Sequence, residues 1–151
     1  MTQEQSLADR FLHFLQQGNP AILATYGSDG WPNAVVTWAA ARDPHHVRFG
    51  VDLGTSTLAN IEREGKASLQ IIGPDNILFL IKGTTHKVKA RIETLPPPHL
   101  MCVMEMTLHS VKDQSWPGVV VSPLSYQWVG GDAERMTAAT SEMLVELRDW
   151  E

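Results

Sequence analysis

The stretch VRFGVDLGTSTLANI, Val47 to Ile61, decides how this chain is read. A short β-like run, Val47 to Val51, leads into Asp52-Leu53-Gly54 and then three consecutive hydroxyl side chains, Thr55, Ser56 and Thr57. Leu58 and Ile61, three apart, open a helical pattern. A helix start leaves its first N–H groups unpaired and carries a partial positive charge, so it favours an anion. Three hydroxyls at that point can also donate to phosphate oxygens. The same residues suit an ordinary N-cap, in which one Ser or Thr accepts from the backbone. The surrounding chain has to separate the two.

Working outward, residues 2–17 read as an amphipathic helix, with Thr2 and Gln5 as a capping box and Leu7, Phe11, Phe14 and Leu15 as its apolar stripe. Gly18-Asn19-Pro20 stops it. PAILATYG (20–27) reads as a strand, Ser28-Asp29-Gly30 as a turn, and NAVVTWAAAR (33–42) as the partner strand of a hairpin. The small residues after Trp38 require something packed closely over this strand, another backbone or a flat ligand. Asp43-Pro44 turns the chain into the third strand. The helix after Thr57 runs to about Glu64 and stops at Gly65.

KASLQIIG (66–73) is a fourth strand, and a long strand follows from Ile77 to about Glu93, with Gly83 marking a bulge or bend. After the Pro96-Pro97-Pro98 linker, Met101 to Val111 alternates as a further strand. Val119-Val120-Val121 reads as another, and SPLSYQWV (122–129) as a short one beyond it. Asp132 caps a final helix carrying Met136, Met143, Leu144 and Leu147. Six or seven hairpin-connected strands with a single inserted helix predict a mainly β protein, a small antiparallel barrel with terminal helices, and exclude a doubly wound α/β sheet.

The chain has 151 residues, most simply one domain over 1–151, with a net charge of −5. No basic cluster suits nucleic acid: Lys87, Lys89 and Arg91 alternate with apolar residues as the wet face of a strand. Cys102 is the only cysteine, in an apolar run, so there is neither an internal disulfide nor a Cys-based zinc site. His45 and His46 point apart in a strand-like tip and make no metal clip. The polar N-terminus is unlike a secretory signal, and Ile77–Ile81 is far short of a membrane span, which together predict a cytoplasmic protein. GxSxG, Walker A, GxGxxG and HExxH motifs are absent. The sequence offers a binding site more readily than side-chain chemistry, and in such a fold a cofactor often carries the reaction.

The order strand, SDG turn, strand, DP turn, strand, TST helix, strand resembles the pyridoxamine 5′-phosphate oxidase-like split β-barrel flavoproteins. The likeness runs through ATYGSDGWPNAVVTWAAARDPHHVRFGVD (24–52), STLANIEREGKASLQI (56–71) and ILFLIKGTTHKV (77–88), and covers about residues 7–125. It implies a homodimer binding FMN in a groove at the subunit interface. Backbone from Val36, Thr37 and Trp38 would meet the flavin ring, with Gly50 and Val51 beside it. The phosphate would sit at Thr55, Ser56 and Thr57, with Asn60 one turn on. Gln70 and Lys82 are further candidates, and Trp116 would reach over the ring from the other subunit.

Two departures from the family stand out. Many members carry Arg and Lys at the helix start, where this chain has Ser56-Thr57-Leu58. Charge-assisted bonds are about twice as strong as neutral ones, so either Arg48 or a basic group of the partner compensates, or FMN is held loosely or replaced by another ligand. True pyridoxamine phosphate oxidases also carry Arg and Lys where this chain has Val35 and Ala40, and SPLSYQWVGG replaces their RxHxR-type segment. Both features argue against the vitamin B6 reaction itself. The resemblance therefore implies an FMN-dependent oxidoreductase exchanging a hydride with NAD(P)H or a small organic substrate. Its alternatives are a non-catalytic FMN store or sensor, or a barrel holding a deazaflavin or haem, with His86 and His109 as axial ligands in the last case.

Overall fold

The computed structural model describes residues 4–151. Its elements, in order, are α1 (Asp9–Gln16), β1 (Asn19–Tyr26), β2 (Pro32–Asp43), β3 (His46–Asp52), α2 (Ser56–Glu64), β4 (Lys66–Ile72), β5 (Leu78–Lys89), β6 (Met101–Asp113) and α3 (Ala133–Asp149). Six antiparallel strands close a barrel in the order β1-β2-β3-β6-β5-β4. Alternation along the strands sends Leu23, Ala39, Phe49, Leu69, Phe79, Ile81, Met104 and Met106 inward, all at most 2% exposed. Into this core α1 lays Phe11 and Leu15, with the Phe11 ring stacked on Phe79 at 4.1 Å between centroids.

Gly83 sits at a register shift between β5 and β6. A side chain there would collide with the Thr107 carbonyl oxygen, so the glycine permits a close backbone approach as well as a bend. Gly65, at φ 66°, takes the left-handed position that ends α2, and its N–H donates to the Ile61 carbonyl.

Three expectations need correction. Residues 4–8 are not helical, because Glu4 pairs with Val111 and the Leu7 N–H donates to the Pro44 carbonyl at 2.8 Å, holding this segment extended until α1 begins at Asp9. Thr2, half of the expected capping box, lies outside the described residues. Residues 119–129 form no strand: the barrel is already closed between β1 and β4 and offers no open edge to pair with. Asp132 does precede α3, but its side chain makes no capping bond.

A second, smaller core lies outside the barrel. Ala40, Met101 and Val103, on the outer face of β2 and β6, pack against Ile92, Leu95 and the α3 residues Met143 and Leu147. Of the small residues after Trp38, Ala40 thus makes room for a helix, while Ala39 and Ala41 face the barrel core. The α3 dock is also electrostatic. Glu146, whose side chain is 10% exposed, accepts from Lys89 Nζ at 2.8 Å and from the Glu93 and Thr94 backbone N–H groups at 3.0 Å each. Burial by itself raises its pKa, but Lys89 and those N–H groups outweigh it and hold the carboxyl below its ordinary value of 4.5.

A depressed folded pKa contributes stability that is complete above the unfolded value and lost as pH falls through the folded one. Glu146→Gln is therefore expected to cost about 2–3 kcal/mol at pH 7. The gap to the parent should narrow steadily below pH 4.5, as read from chemical unfolding between pH 7 and 3. A constant gap across that range would rule the carboxylate out as the cause.

Candidate functional site

The start of α2 meets the first half of β2 and the end of β3 around a cavity of about 220 Å³. Val36, Thr37, Gly50, Val51, Thr55, Ser56 and Thr57 all line it, together with Leu23, Asn33, Val35, Asp52 and Met101. A neighbouring cavity of about 240 Å³ shares Val36, Asp52 and Met101 with the first and is bounded by Trp38, Leu95, His99, Trp128, Thr140 and Met143.

The three hydroxyls divide their work. Thr55 is the N-cap: its Oγ1 accepts from the Leu58 N–H at 3.3 Å and donates to the Asp52 carbonyl at 2.7 Å. Thr57, 5% exposed, accepts from Asn33 Nδ2 at 2.9 Å, which leaves its own proton to donate. Asn60 is buried behind it, donating to Thr25 Oγ1 at 3.1 Å and accepting from Arg63 at 3.2 Å. This polar seam of Thr25, Asn33, Thr57 and Asn60 fixes α2 against β1 and β2. The Ser56 side chain is exposed, and the Ser56 and Thr57 amides lie in the turn where a helix has no internal partner for its N–H groups. Beside them, Thr37 Oγ1 donates to the Gly50 carbonyl at 2.6 Å and locks β2 to β3.

Among the described residues, no Lys or Arg lines either cavity, whereas Asp52 lines both. Arg48 does not compensate. It is 4% exposed and pairs with Glu105 at 2.8 Å, and its Nη1 donates to the Leu147 and Trp150 carbonyls at the end of α3. It is committed to the helix dock because an outward side chain at position 48 of β3 lies under α3, away from the cavity.

The remaining expected residues lie elsewhere. Gln70 ties β4 to its surroundings, donating to the Phe79 carbonyl at 3.1 Å and to Gln114 at 2.8 Å. Lys82 lines a separate, open groove with Ser68, Thr84 and His109. Trp116 stands 69% exposed in the loop after β6. Cys102 is fully buried, and that burial pushes its thiol up, which does not suit a nucleophile. No group of three or more metal-ligating side chains occurs among the described residues, and no helix there is long and apolar enough to cross a membrane.

Sequence reasoning passed over Asn33, Asp52, His99 and Trp128. Asn33 did carry a signal, since Asn is depleted in strands and one placed inside a strand asks for a reason. Trp128 gave none, because its segment was read as a strand.

The family model for pyridoxamine 5′-phosphate oxidase matches residues 7–114, and the chain belongs to that family. No curated protein matches it. Solved structures share the fold at low identity. An F420 reductase is 18% identical, with a TM-score of 0.61 over 72% of this chain and 100% of its own. HupZ of Group A Streptococcus is 14% identical, with a TM-score of 0.58 over 77% of this chain and 99% of its own. A Clostridium acetobutylicum protein of the pyridoxinephosphate oxidase family is 13% identical, with a TM-score of 0.53 over 72% and 92%. The family match ends at residue 114, so Trp128, Thr140 and Met143 come from a part of the chain beyond it.

Proposed function

We propose that this protein is an FMN-binding oxidoreductase. The observation carrying the reading is the meeting of Val36, Thr37, Gly50 and Val51 with the first turn of α2 around one cavity, in a chain of this family. The phosphate would be held by the Ser56 hydroxyl, the Thr57 hydroxyl and the free amides of the turn, and the isoalloxazine ring by the β2 and β3 backbone. A flavin supplies hydride exchange; the protein positions the ring and tunes it through hydrogen bonds.

These residues fit an anion by hydrogen bonding and helix dipole alone, with Asp52 close by, so a modest grip is expected. Each cavity is small beside the ~300–1,000 Å³ of typical cofactor sites. A second copy of the chain would complete the enclosure. The apolar surface beside the cavities supports such a homodimer, with Val36 59% exposed and Val35, Leu53 and Leu100 between 37% and 40%. Asn60, Gln70, Lys82 and Trp116 would then bear on FMN only through the α2 seam or from the partner. In the haem alternative His86 and His109 would be ligands, yet neither lines the two cavities.

The test is the cofactor released by denaturing the purified protein, or taken up by it from added FMN. Flavin absorbance with roughly one FMN per chain supports the reading. A deazaflavin or haem spectrum, or no uptake at millimolar FMN, overturns it. With FMN bound, NAD(P)H consumption in the presence of an acceptor separates an enzyme from a store.

A further inference from the structure

A groove of about 510 Å³ runs over the outer face of β1, β4, β5 and β6 and shares no lining residue with either cavity described above. The register of the sheet sets its chemistry. Lys66 on β4 stands opposite Thr84 on β5, and Ser68 opposite Lys82, with all four on the outer face. The two lysines are therefore diagonal neighbours, about 7–8 Å apart at the backbone. Like charges that close in a sheet are unfavourable without a counter-charge.

The chain supplies none. Arg10, Arg48, Lys87 and Lys89 each meet a carboxylate, whereas Lys66 and Lys82 form no ion pair among the described residues, and no Asp or Glu lines the groove. A third polar group is aimed there by the backbone. Lys82 pairs with Ser110 but Gly83 with Leu108, so His109 is the extra, unpaired residue of a bulge in β6. Bulges re-aim side chains, and this one brings His109 into the groove, with its Nε2 3.4 Å from Thr84 Oγ1. The remaining surface is apolar. Ala24, paired with Ser68 across β1 and β4, leaves the floor shallow, and Tyr26 and Pro32 stand beyond it, the tyrosine 56% exposed.

We propose that this groove is a binding site for a small organic phosphate, separate from the flavin cavity. The phosphate dianion lies between Lys66 and Lys82, with the Ser68 and Thr84 hydroxyls as further donors, and a ring or other apolar body rests on Ala24, Tyr26 and Pro32. Two ammonium groups and two hydroxyls around one point suit a doubly charged, many-oxygened acceptor better than a single carboxylate. On a chain with a net charge of −5, this local excess of cations selects where an anion can settle. The proposal does not rest on the flavin reading.

The experiment measures binding by calorimetry to the full-length protein at pH 7.5, where a phosphate monoester is mostly a dianion. The probes are phenyl phosphate, inorganic phosphate (no ring), benzoate (one charge) and benzyl alcohol (no charge). Phenyl phosphate is expected to bind about tenfold or more tightly than each of the others. Lys66→Met and Lys82→Met keep the apolar stems and remove the charges, so each should weaken phenyl phosphate about tenfold while the melting temperature and the sedimentation coefficient stay those of the parent. Lys112→Met, which removes a lysine outside the groove, and Ser56→Asp, which changes the start of α2, should leave that affinity within about twofold. No binding at millimolar phenyl phosphate, equal affinity for the four probes, or equal weakening by Lys112→Met overturns the proposal. Loss in Ser56→Asp with none in the groove variants overturns it too, by moving the phosphate to α2. A groove variant that changes the sedimentation coefficient and leaves the affinity alone would make this face a contact between copies, and overturns it as well. Binding of phenyl phosphate in the expected pattern by a protein that takes up no FMN would uphold the groove and defeat the flavin reading.

Discussion

Ser56→Asp is expected to remove FMN from the protein while leaving it folded. Ser56 is the exposed hydroxyl on the first turn of α2, and its replacement sets a second carboxylate at a site where Asp52 already stands and no cation lines the wall. Two unit charges about 4 Å apart near a protein surface repel by roughly 4 kcal/mol, so the affinity should fall by about a hundredfold or more. The same aspartate favours the helix, because an anion at a helix start adds about 0.3–1 kcal/mol. Binding and stability should therefore move in opposite directions, and a binding loss caused by misfolding would not show that pattern. Ser56→Arg provides the counterpart, since it restores a cation of the kind many family members carry at this turn and should tighten FMN severalfold. Thr57→Asp is a less clean probe, as it would bury a carboxylate against Asn33. Flavin content is measured by absorbance after purification and stability by thermal unfolding. Equal flavin content in Ser56→Asp, Ser56→Arg and the parent would remove the phosphate from α2.

That turn shows how far the sequence could carry the reading. Strand alternation, the SDG and DP turns and the Gly65 stop are local signals, and the barrel order follows once each strand must pair with neighbours on both sides. The bend at Gly83 was legible for the same reason: glycine inside a strand is costly unless a backbone comes close, and the Thr107 carbonyl does. The hydroxyl triplet was legible as a helix start, and its capping reading holds at Thr55, while the Ser56 side chain is left exposed. Less legible was anything settled by which face a residue takes after the barrel closes. Val119-Val120-Val121 has a strand's composition, but pairing needs an open edge, and closure between β1 and β4 removed it. Arg48 is close in sequence to the hydroxyls and shares the outer face of β3 with Gly50 and Asp52, yet it lies toward the other end of the strand, where the end of α3 docks over it. The second cavity depends on Trp128 and Thr140 folding back over Trp38 across roughly a hundred residues of chain, a contact no local pattern encodes.

Arg48→Met is expected to give the largest loss of stability of any single change considered for this protein. Its guanidinium is nearly inaccessible to water, pairs with Glu105, and serves the Leu147 and Trp150 carbonyls that α3 leaves unpaired at its C-terminus. Methionine can fill much of the volume but satisfies none of these groups, and Glu105, with a side chain only 14% exposed, would keep only a distant and exposed His86 at 4.0 Å. Breaking a buried pair by removing one partner typically costs about 3–5 kcal/mol, which for a chain of this size lowers the melting temperature by roughly 6–20 °C. Most of that cost comes from the carboxylate left behind. Arg48→Met combined with Glu105→Leu should therefore recover a large part of it, although the Leu147 carbonyl stays without its donor and the Trp150 carbonyl keeps only Arg42. The residual deficit of the double variant measures the helix-capping role separately from the ion pair. If the single variant melts within 2 °C or so of the parent, a shift worth at most about 1 kcal/mol, then Arg48 does not hold the helix down.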